Sequence, residues 1–416
     1  MRSAGGIPHC EQHDPQGARA GRRARGVIGS AVGASSKSLA GEGPVRLGLE
    51  RLFDALRGKR FGFIANHTSV AADLAHLGPI LHRRDGLELV CFLAPEHGLW
   101  GDVYAGDHVS SAADPLTGLP VHSLYNRDRQ GLDGFKPAPE ILAGLDLLLF
   151  DLQDVGARFY TYISTLELAM EAAAAAGVGV VVLDRPNPIG GIVVDGDVST
   201  EEQRTFTAIH PLAVQHGMTV GELAQLFNGE RRLGCDLTVI PLEGWHRSMF
   251  FDETGLPWVA PSPNMPSLAT ALVYTCGNVV GANLSVGLGT TKPFELIGAP
   301  WVEPFAFAGA LNERRLPGVR FRPAFFYVHH GPYAGQRCAG VQIHVIDRRA
   351  FQACQTAAHI TATAGALYPE QSAPQNRKVG RHRILVQDQT AEQTIASWQP
   401  DLHTFGAVRE RYLRYR

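Results

Sequence analysis

The chain has 416 residues, of which 45% are hydrophobic and 19% are charged, a balance typical of globular proteins. A formal net charge of −2 gives no reason to expect a nucleic-acid partner. No apolar run is long enough to predict a membrane-spanning helix. The six cysteines form no Cys-x-x-Cys pair and no Cys/His ligand spacing, which argues against a zinc site and against a disulfide scaffold.

The first 44 residues differ in composition from the rest of the chain. Residues 1–44 are rich in Gly, Ala, Ser and Arg, and we predict that they form a disordered or non-native extension. Arg22 and Arg23 precede a short apolar run at residues 26–32, which faintly resembles a twin-arginine export signal. Export is therefore an alternative to the cytoplasmic location that the sequence favours.

From residue 45 onward, strand-like apolar runs alternate with helical patterns. This alternation predicts a Rossmann-like, doubly wound parallel sheet of the α/β class over residues 45–234. The predicted strands are residues 61–65, 87–93, 120–124, 147–150 and 178–183, and helical patterns cover 73–83, 137–144, 164–176 and 219–228. From residue 235 the sequence is richer in Pro and Gly, and we predict a second, smaller mixed α/β domain over 235–416 with strands at 237–241 and 340–345.

Acidic residues follow two of the predicted strands. Glu96 comes just after the strand at 87–93, and Asp151 and Asp154 come just after the strand at 147–150. Ligands of open α/β sheets bind beyond the carboxyl ends of the strands, so these side chains are predicted to share one cleft. Two carboxylates in one cleft are the equipment of glycoside hydrolysis. The alternative for each acid is a helix cap or loop residue that binds backbone N–H groups.

Other ligand classes lack their sequence signatures. Gly177 and Gly179 precede a strand, whereas a dinucleotide fingerprint requires glycines after it, and no phosphate-binding loop or nucleophile elbow is present. His67 and His97 have no third ligand at a metal-site spacing. We therefore predict neither a cofactor nor a metal. The loop at 287–292 is either a substrate-facing loop or a simple turn.

Several phrases together resemble the bacterial exo-β-N-acetylmuramidases, a family long known only as a domain of unknown function. The resemblance spans roughly residues 45–416 and rests on residues 63–69, 95–98, 150–162, 184–188 and 289–301. It implies an enzyme that removes N-acetylmuramic acid from the non-reducing end of cell-wall glycan fragments, with its active site between a Rossmann-like domain and a smaller one. It also implies that Glu96 is the catalytic carboxylate. The predicted substrate-binding residues are Asn66, His67, His97, Arg158, Tyr160, Tyr162, Asn187 and Asn264.

The predicted mechanism makes Glu96 the general acid. Asp151 or Asp154 would either activate water or orient the acetamido group of the substrate. We assign Arg158 to the carboxylate of the sugar, and Tyr160 and Tyr162 to stacking and hydroxyl contacts.

The chain departs from its relatives at Val280 and Leu288, where a glutamate and an arginine are common. This change leaves the exact sugar open. It also leaves two alternatives: a hydrolase of another cell-wall bond, such as an amidase, and a non-catalytic glycan-binding protein.

Overall fold

The computed structural model describes residues 43–125, 131–280, 283–372 and 389–416. The predictions made for residues 1–42, including the export signal, lie outside these residues.

Seven strands form the large sheet, in the order β3-β4-β2-β1-β5-β6-β9. They are β1 (Arg60–Ala65), β2 (Glu88–Ala94), β3 (Ala112–Ala113), β4 (Pro120–Ser123), β5 (Leu147–Asp151), β6 (Gly179–Leu183) and β9 (Leu237–Ile240). All neighbours are parallel except β3, which is antiparallel to β4. Without β3, the strands follow the 3-2-1-4-5-6 order of Rossmann folds, which confirms the predicted fold class.

Ten α-helices are present in the described residues. They are α1 (Leu49–Leu56), α2 (Leu77–Arg83), α3 (Pro139–Leu142), α4 (Thr161–Ala176), α5 (Val220–Glu230), α6 (Leu268–Gly277), α7 (Pro304–Glu313), α8 (Ala353–Leu367), α9 (Pro369–Ser372) and α10 (Ala391–Glu410). Thr219 caps the start of helix α5: its hydroxyl accepts from the Glu222 N–H, and the Glu222 side chain accepts from the Thr219 N–H. Helix α4 ends at Gly177, whose φ of 69° places it in the left-handed region that favours glycine.

The placement of one strand corrects the sequence analysis. The strand predicted for the second domain, β9, instead pairs in parallel with β6 and forms an edge of the large sheet. Thr238 is exposed and only Ile240 is buried, as an edge position allows, and this short apolar run does not indicate which sheet the strand joins. A domain boundary near residue 235 stays a prediction, and any such boundary must leave β9 with the large sheet.

Two smaller sheets complete the described structure. Strands β10 (Leu296–Ala299), β11 (Val319–Val328) and β12 (Gln336–Val345) form an antiparallel sheet in the order β10-β12-β11. Burial alternates along β11, so one of its faces packs inward and the other is exposed. This sheet and helices α7 and α8 form the smaller mixed α/β part. The third sheet pairs β7 (Asp195–Val198) with β8 (Ala213–Gln215).

The centre of the large sheet determines where a cleft can form. Leu148, Leu149 and Phe150 of β5 are all fully buried, so both faces of this strand are covered, as its apolar run predicts. Strand order reverses between β1 and β5, which lie side by side. At such a switch point the loops that leave the two strands diverge and open a crevice at their carboxyl ends.

The carboxyl end of β6 is covered by the last residues of the chain. Asp184 is fully buried there, and its carboxylate accepts hydrogen bonds from the Tyr415 hydroxyl (2.7 Å), the Thr219 hydroxyl (2.9 Å) and the Gly221 N–H (2.8 Å). Burial raises the pKa of Asp184 from 3.8 to about 6, with these donors opposing the rise.

This raised pKa predicts a pH dependence of stability. Between pH 4 and 6 the folded protein keeps the Asp184 proton while the unfolded chain loses it. The contribution of this group is therefore complete below about pH 4 and falls by about 3 kcal/mol as the pH rises through 6. Urea unfolding at pH 4.5 and 7.5 should show a smaller pH dependence for Asp184→Asn than for the unmodified protein. The exposed Asp85→Asn is the control, and equal pH dependence in all three proteins would contradict the prediction.

Candidate active site

Glu96 lies just beyond β2 and is half-buried. Its Oε1 accepts a hydrogen bond from the Gly106 N–H at 2.9 Å, and its Oε2 accepts one from the Thr161 hydroxyl at 2.7 Å. Thr161 is the first residue of α4, which follows β5. The carboxylate is thus held between two loops that leave different strands of the sheet, and it keeps access to solvent.

The backbone after Glu96 turns sharply. His97 has a φ of 75°, which is uncommon for a residue with a side chain, and Gly98 follows at 79°. The Nδ1 of His97 lies 2.9 Å from the carbonyl oxygen of Val103, and this contact closes the loop that carries Gly106. His97 is 5% exposed. It therefore stabilises the loop that holds Glu96, which differs from the substrate contact that the sequence predicted.

A second set of contacts lies at the carboxyl end of β1. The side-chain amide of Asn66, at the end of β1, donates to the Tyr162 hydroxyl at 2.8 Å, and that hydroxyl donates to the Pro261 carbonyl at 2.6 Å. His67 Nε2 lies 2.7 Å from the Ala260 carbonyl. Burial lowers the pKa of His67, so the ring is neutral near pH 7 and donates this bond. These three predicted residues join β1 and α4 to the segment at 260–261.

Asp151 makes a fully buried ion pair. Arg185 donates to its two carboxylate oxygens from Nε at 2.5 Å and from an Nη atom at 2.7 Å. The same Arg185 nitrogen donates to the Val70 carbonyl. Asp151 has no exposed surface, and a substrate reaches its carboxylate only by breaking this bidentate pair. The geometry gives Asp151 a structural function and argues against the catalytic one that the sequence predicted.

Asp154 is also buried, at 3% exposure, but only one of its two carboxylate oxygens accepts a hydrogen bond in the described structure. Oδ2 accepts from the Gly156 N–H at 2.7 Å and lies 3.5 Å from Nε2 of His216. Oδ1 has no hydrogen-bond partner in the described structure. An unpaired buried acceptor costs free energy until a ligand or water supplies a donor. Of the two aspartates, Asp154 is thus the one with capacity for a further contact.

Arg158 and Asn187 lie in the protein interior. Arg158 is fully buried, and its guanidinium donates to the Asp197 carboxylate at 3.2 Å and to the carbonyls of Asp197 and Leu212. Asn187, at 2% exposure, donates to the Met218 carbonyl and accepts from a neighbouring N–H. Both side chains are buried and bonded to internal partners, which argues against the sugar contacts that the sequence predicted, and the Arg158 guanidinium is paired with Asp197.

Tyr160, Tyr162 and Tyr274 pack against one another. The Tyr160 ring lies 4.9 Å from that of Tyr162 and 5.9 Å from that of Tyr274. Burial raises the pKa of Tyr274, and the charges of Glu96 and Asp154 raise it further. Tyr274 is therefore close enough to both carboxylates to sense both charges. These rings are edge-to-face, so they form a packed wall rather than parallel stacking platforms.

The remaining predicted residue, Asn264, is half-buried on the same side as the Glu96 loop. Its amide donates to the Tyr104 hydroxyl at 3.0 Å, and the Tyr104 ring lies 4.6 Å from that of His330. The His330 N–H donates to the Leu288 carbonyl at 3.3 Å. The loops at 287–292 and 329–333 therefore approach the Glu96 loop through Tyr104. Val280 and Leu288 are both partly buried against the hydrophobic core.

Sequence reasoning missed Thr161, Gly106, Tyr274 and His216. Thr161 lies one residue from two predicted tyrosines, and its position at a helix start beyond a strand is a signal that was available. Tyr274 and His216 lie far from the acids along the chain, and their proximity arises only from tertiary structure. The residues that the structure covers contain no group of three His, Cys, Asp or Glu side chains able to hold a metal ion. Among the same residues, no helix is both long enough and apolar enough to cross a membrane.

The Thr161 contact leads to a prediction. Thr161→Val removes the hydroxyl that fixes Oε2 of Glu96, and we expect kcat to fall about 10- to 100-fold, since a hydrogen bond to a charged group contributes about 1.5–3 kcal/mol. Thr165→Val is the matched control, because the Thr165 hydroxyl donates to the Thr161 carbonyl one turn earlier in the same helix. Steady-state kinetics of both variants decide the matter, and equal rates would contradict this function of Thr161.

The fold and this site define an α/β protein whose switch-point crevice presents one half-buried glutamate, an arrangement suited to acid catalysis on a bound ligand. The chain belongs to the exo-β-N-acetylmuramidase family: the NamZ N-terminal domain model matches residues 61–269 and the NamZ C-terminal domain model matches residues 273–415. This assignment confirms the resemblance seen in the sequence.

Similar proteins extend over almost the same length. Over 369 residues the chain is 43% identical to the peptidoglycan beta-N-acetylmuramidase NamZ of Bacillus subtilis (strain 168). The aligned region covers 86% of this chain and 88% of that protein. Two crystal structures of DUF1343 family proteins from Bacteroides fragilis NCTC 9343 share the fold. One has a TM-score of 0.79 at 34% identity and covers 90% of this chain and 99% of its own; the other has a TM-score of 0.70 at 26% identity and covers 89% and 99%.

Proposed function

We propose that this protein is an exo-acting glycosidase that releases N-acetylmuramic acid, or a closely related 2-acetamido sugar, from the non-reducing end of peptidoglycan fragments. The observation that carries the proposal is Glu96, the one predicted acid with access to solvent, held in place by Gly106 and Thr161 over the switch-point crevice. Membership of the exo-β-N-acetylmuramidase family and the name of the B. subtilis relative support the same activity.

In the proposed mechanism, Glu96 donates its proton to the glycosidic oxygen. The bond between C1 and that oxygen breaks, and its electron pair stays on the leaving oxygen. Because Asp151 is locked in its ion pair, the geometry favours the acetamido group of the substrate as the attacking group. Its carbonyl oxygen bonds to C1 and forms a cyclic oxazolinium ion.

The second half reverses these steps. Water attacks C1, the Glu96 carboxylate accepts a proton from that water, and the ring opens to regenerate the acetamido group. Two displacements at C1 retain the β configuration. Asp154 is the proposed acceptor for the acetamido N–H, because its Oδ1 has no partner in the described structure and its charge reaches the same Tyr274 as that of Glu96.

A substrate panel tests the function. The purified protein is incubated with aryl β-N-acetylmuramides and aryl β-N-acetylhexosaminides, and the products are followed by NMR. Release of free N-acetylmuramic acid as its β anomer is the expected result. Release of the α anomer would contradict the acetamido route. Binding without turnover would favour a glycan-binding protein, and cleavage of only peptide-bearing fragments without free sugar would favour an amidase.

A further inference from the structure

Asp154 and His216 form a buried pair of side chains in the segments that follow β5 and β8. His216, directly after β8, has no exposed surface, and its Nε2 lies 3.5 Å from Oδ2 of Asp154. This distance is longer than a normal N–H···O hydrogen bond, and Nε2 has no hydrogen-bond partner in the described part of the chain. Catalytic hydrogen bonds are often long in an empty site and shorten when the substrate binds.

The local hydrogen bonds determine which ring nitrogen carries the proton. The Met218 N–H donates to Nδ1 of His216 at 3.2 Å, so Nδ1 is the acceptor. A neutral imidazole with an unprotonated Nδ1 carries its proton on Nε2. The Nε2–H of His216 is therefore directed to the side of the ring where the Asp154 carboxylate lies.

A closed series of contacts holds both side chains in this relation. Asn187 donates to the Met218 carbonyl at 3.0 Å, next to the N–H that fixes the His216 ring. A Cβ at Gly156 would lie 2.6 Å from Oδ1 of Asn187, and the φ of Gly156 is 82°. Only glycine fits there, and its N–H is the one that holds Oδ2 of Asp154. Ala157, in the segment after β5, also forms a β-bridge with Gln215 of β8. This bridge brings the segment that carries Asp154 next to the strand that precedes His216.

We propose that His216 is a positioning residue that, with Gly156, holds Oδ2 of Asp154 so that Oδ1 faces the N–H of the 2-acetamido group of the substrate. The carbonyl oxygen of that group is then oriented for attack on C1. This inference rests on the proposed function. It assigns recognition of the acetamido group to the Asp154–His216 pair and leaves the proton transfer to Glu96.

The test compares His216→Phe, which removes the Nε2–H donor, with His216→Gln, whose amide can place an N–H near the same point. Both are assayed on aryl N-acetylmuramides whose acetyl group carries zero to three fluorines. Fluorine weakens the carbonyl as a nucleophile, so kcat of the unmodified enzyme should fall steeply along the series. We expect His216→Phe to lower kcat about 10- to 100-fold, with KM changed by less than about threefold. It should also flatten the fluorine dependence, and His216→Gln should recover most of both effects.

The matched control is His210→Phe. His210 is likewise buried and lies 2.9 Å from a carboxylate, that of Glu167, but it belongs to another cluster. This variant should keep the fluorine dependence even if its Tm falls, and the Tm of every variant is measured. The positioning role is overturned if His216→Phe keeps kcat, or if it loses kcat with an unchanged fluorine dependence.

Activity of the unmodified enzyme distinguishes failure of this inference from failure of the proposed function. If the unmodified enzyme hydrolyses the unfluorinated substrate with no dependence on fluorine, this inference fails while the glycosidase activity stands. If it hydrolyses no muramide at all, the proposed function fails and the inference fails with it.

Discussion

Replacement of Glu96 by glutamine will lower kcat for an aryl N-acetylmuramide by about 10²- to 10⁴-fold, the usual contribution of a general acid. Glutamine has nearly the same shape, and its amide can still bond to Gly106 and Thr161, so the loop should keep its conformation. The loss should be smaller for a dinitrophenyl leaving group, because that phenolate departs without a proton. Steady-state kinetics with two leaving groups measure both effects.

The control for this experiment is Glu140→Gln, an exposed glutamate in the first turn of α3. It should leave kcat and KM unchanged for both substrates. Near-full activity of Glu96→Gln would refute the assignment of Glu96 as the acid. An equal loss with both leaving groups would point to a function of Glu96 other than protonation.

Loss of Arg185 will destabilise the protein strongly. Arg185→Met leaves the fully buried Asp151 carboxylate without its partner, and we expect a loss of about 3–5 kcal/mol in the free energy of unfolding. Asp151→Asn combined with Arg185→Met should recover part of this loss, because it removes the isolated charge. Urea unfolding of the single and double variants measures the coupling between the two side chains.

The exposed pair Arg60 and Glu88 provides the comparison, with both side chains more than half accessible. Arg60→Met should cost at most about 1 kcal/mol in the free energy of unfolding.

The Asp151 variants also distinguish a structural function of Asp151 from a catalytic one. Under conditions where it is folded, Asp151→Asn should keep kcat within about 10-fold of the unmodified enzyme. A loss of kcat as large as that of Glu96→Gln would show that Asp151 is catalytic.

The strand ends that carry the candidate site were predictable from the sequence, whereas the internal partners of most of its polar residues were not. An apolar run that ends in acids predicts a buried strand and its exit, and Phe150 and Asp151 follow that rule. Yet a strand end places some side chains in the cleft and others beneath it. Asp151 points to an arginine 34 positions later, and Arg158 points to an aspartate 39 positions later. No local pattern distinguishes such an internal ion pair from a substrate contact.

The same limit explains the misplaced strand and the missed residues. Leu237–Ile240 reads as a strand from its composition, but the identity of its neighbour depends on a helix and turn that return the chain to β6. His216 and Tyr274 are single residues in apolar surroundings, where a structural role is the usual interpretation. Their significance appears only once the unpaired oxygen of Asp154 and the position of Glu96 are known.

The contact between Tyr104 and His330 has a consequence for how this enzyme family can diversify. Asn66 and Tyr162 are fixed by internal hydrogen bonds at the carboxyl end of β1, while the loops at 287–292 and 329–333 approach the Glu96 loop through that pair of rings. In the proposed mechanism, acid catalysis and recognition of the outer parts of the sugar thus belong to separate segments of chain. We expect that the outer loops can change during evolution, or in the laboratory, and alter sugar preference while the proton donor stays in place.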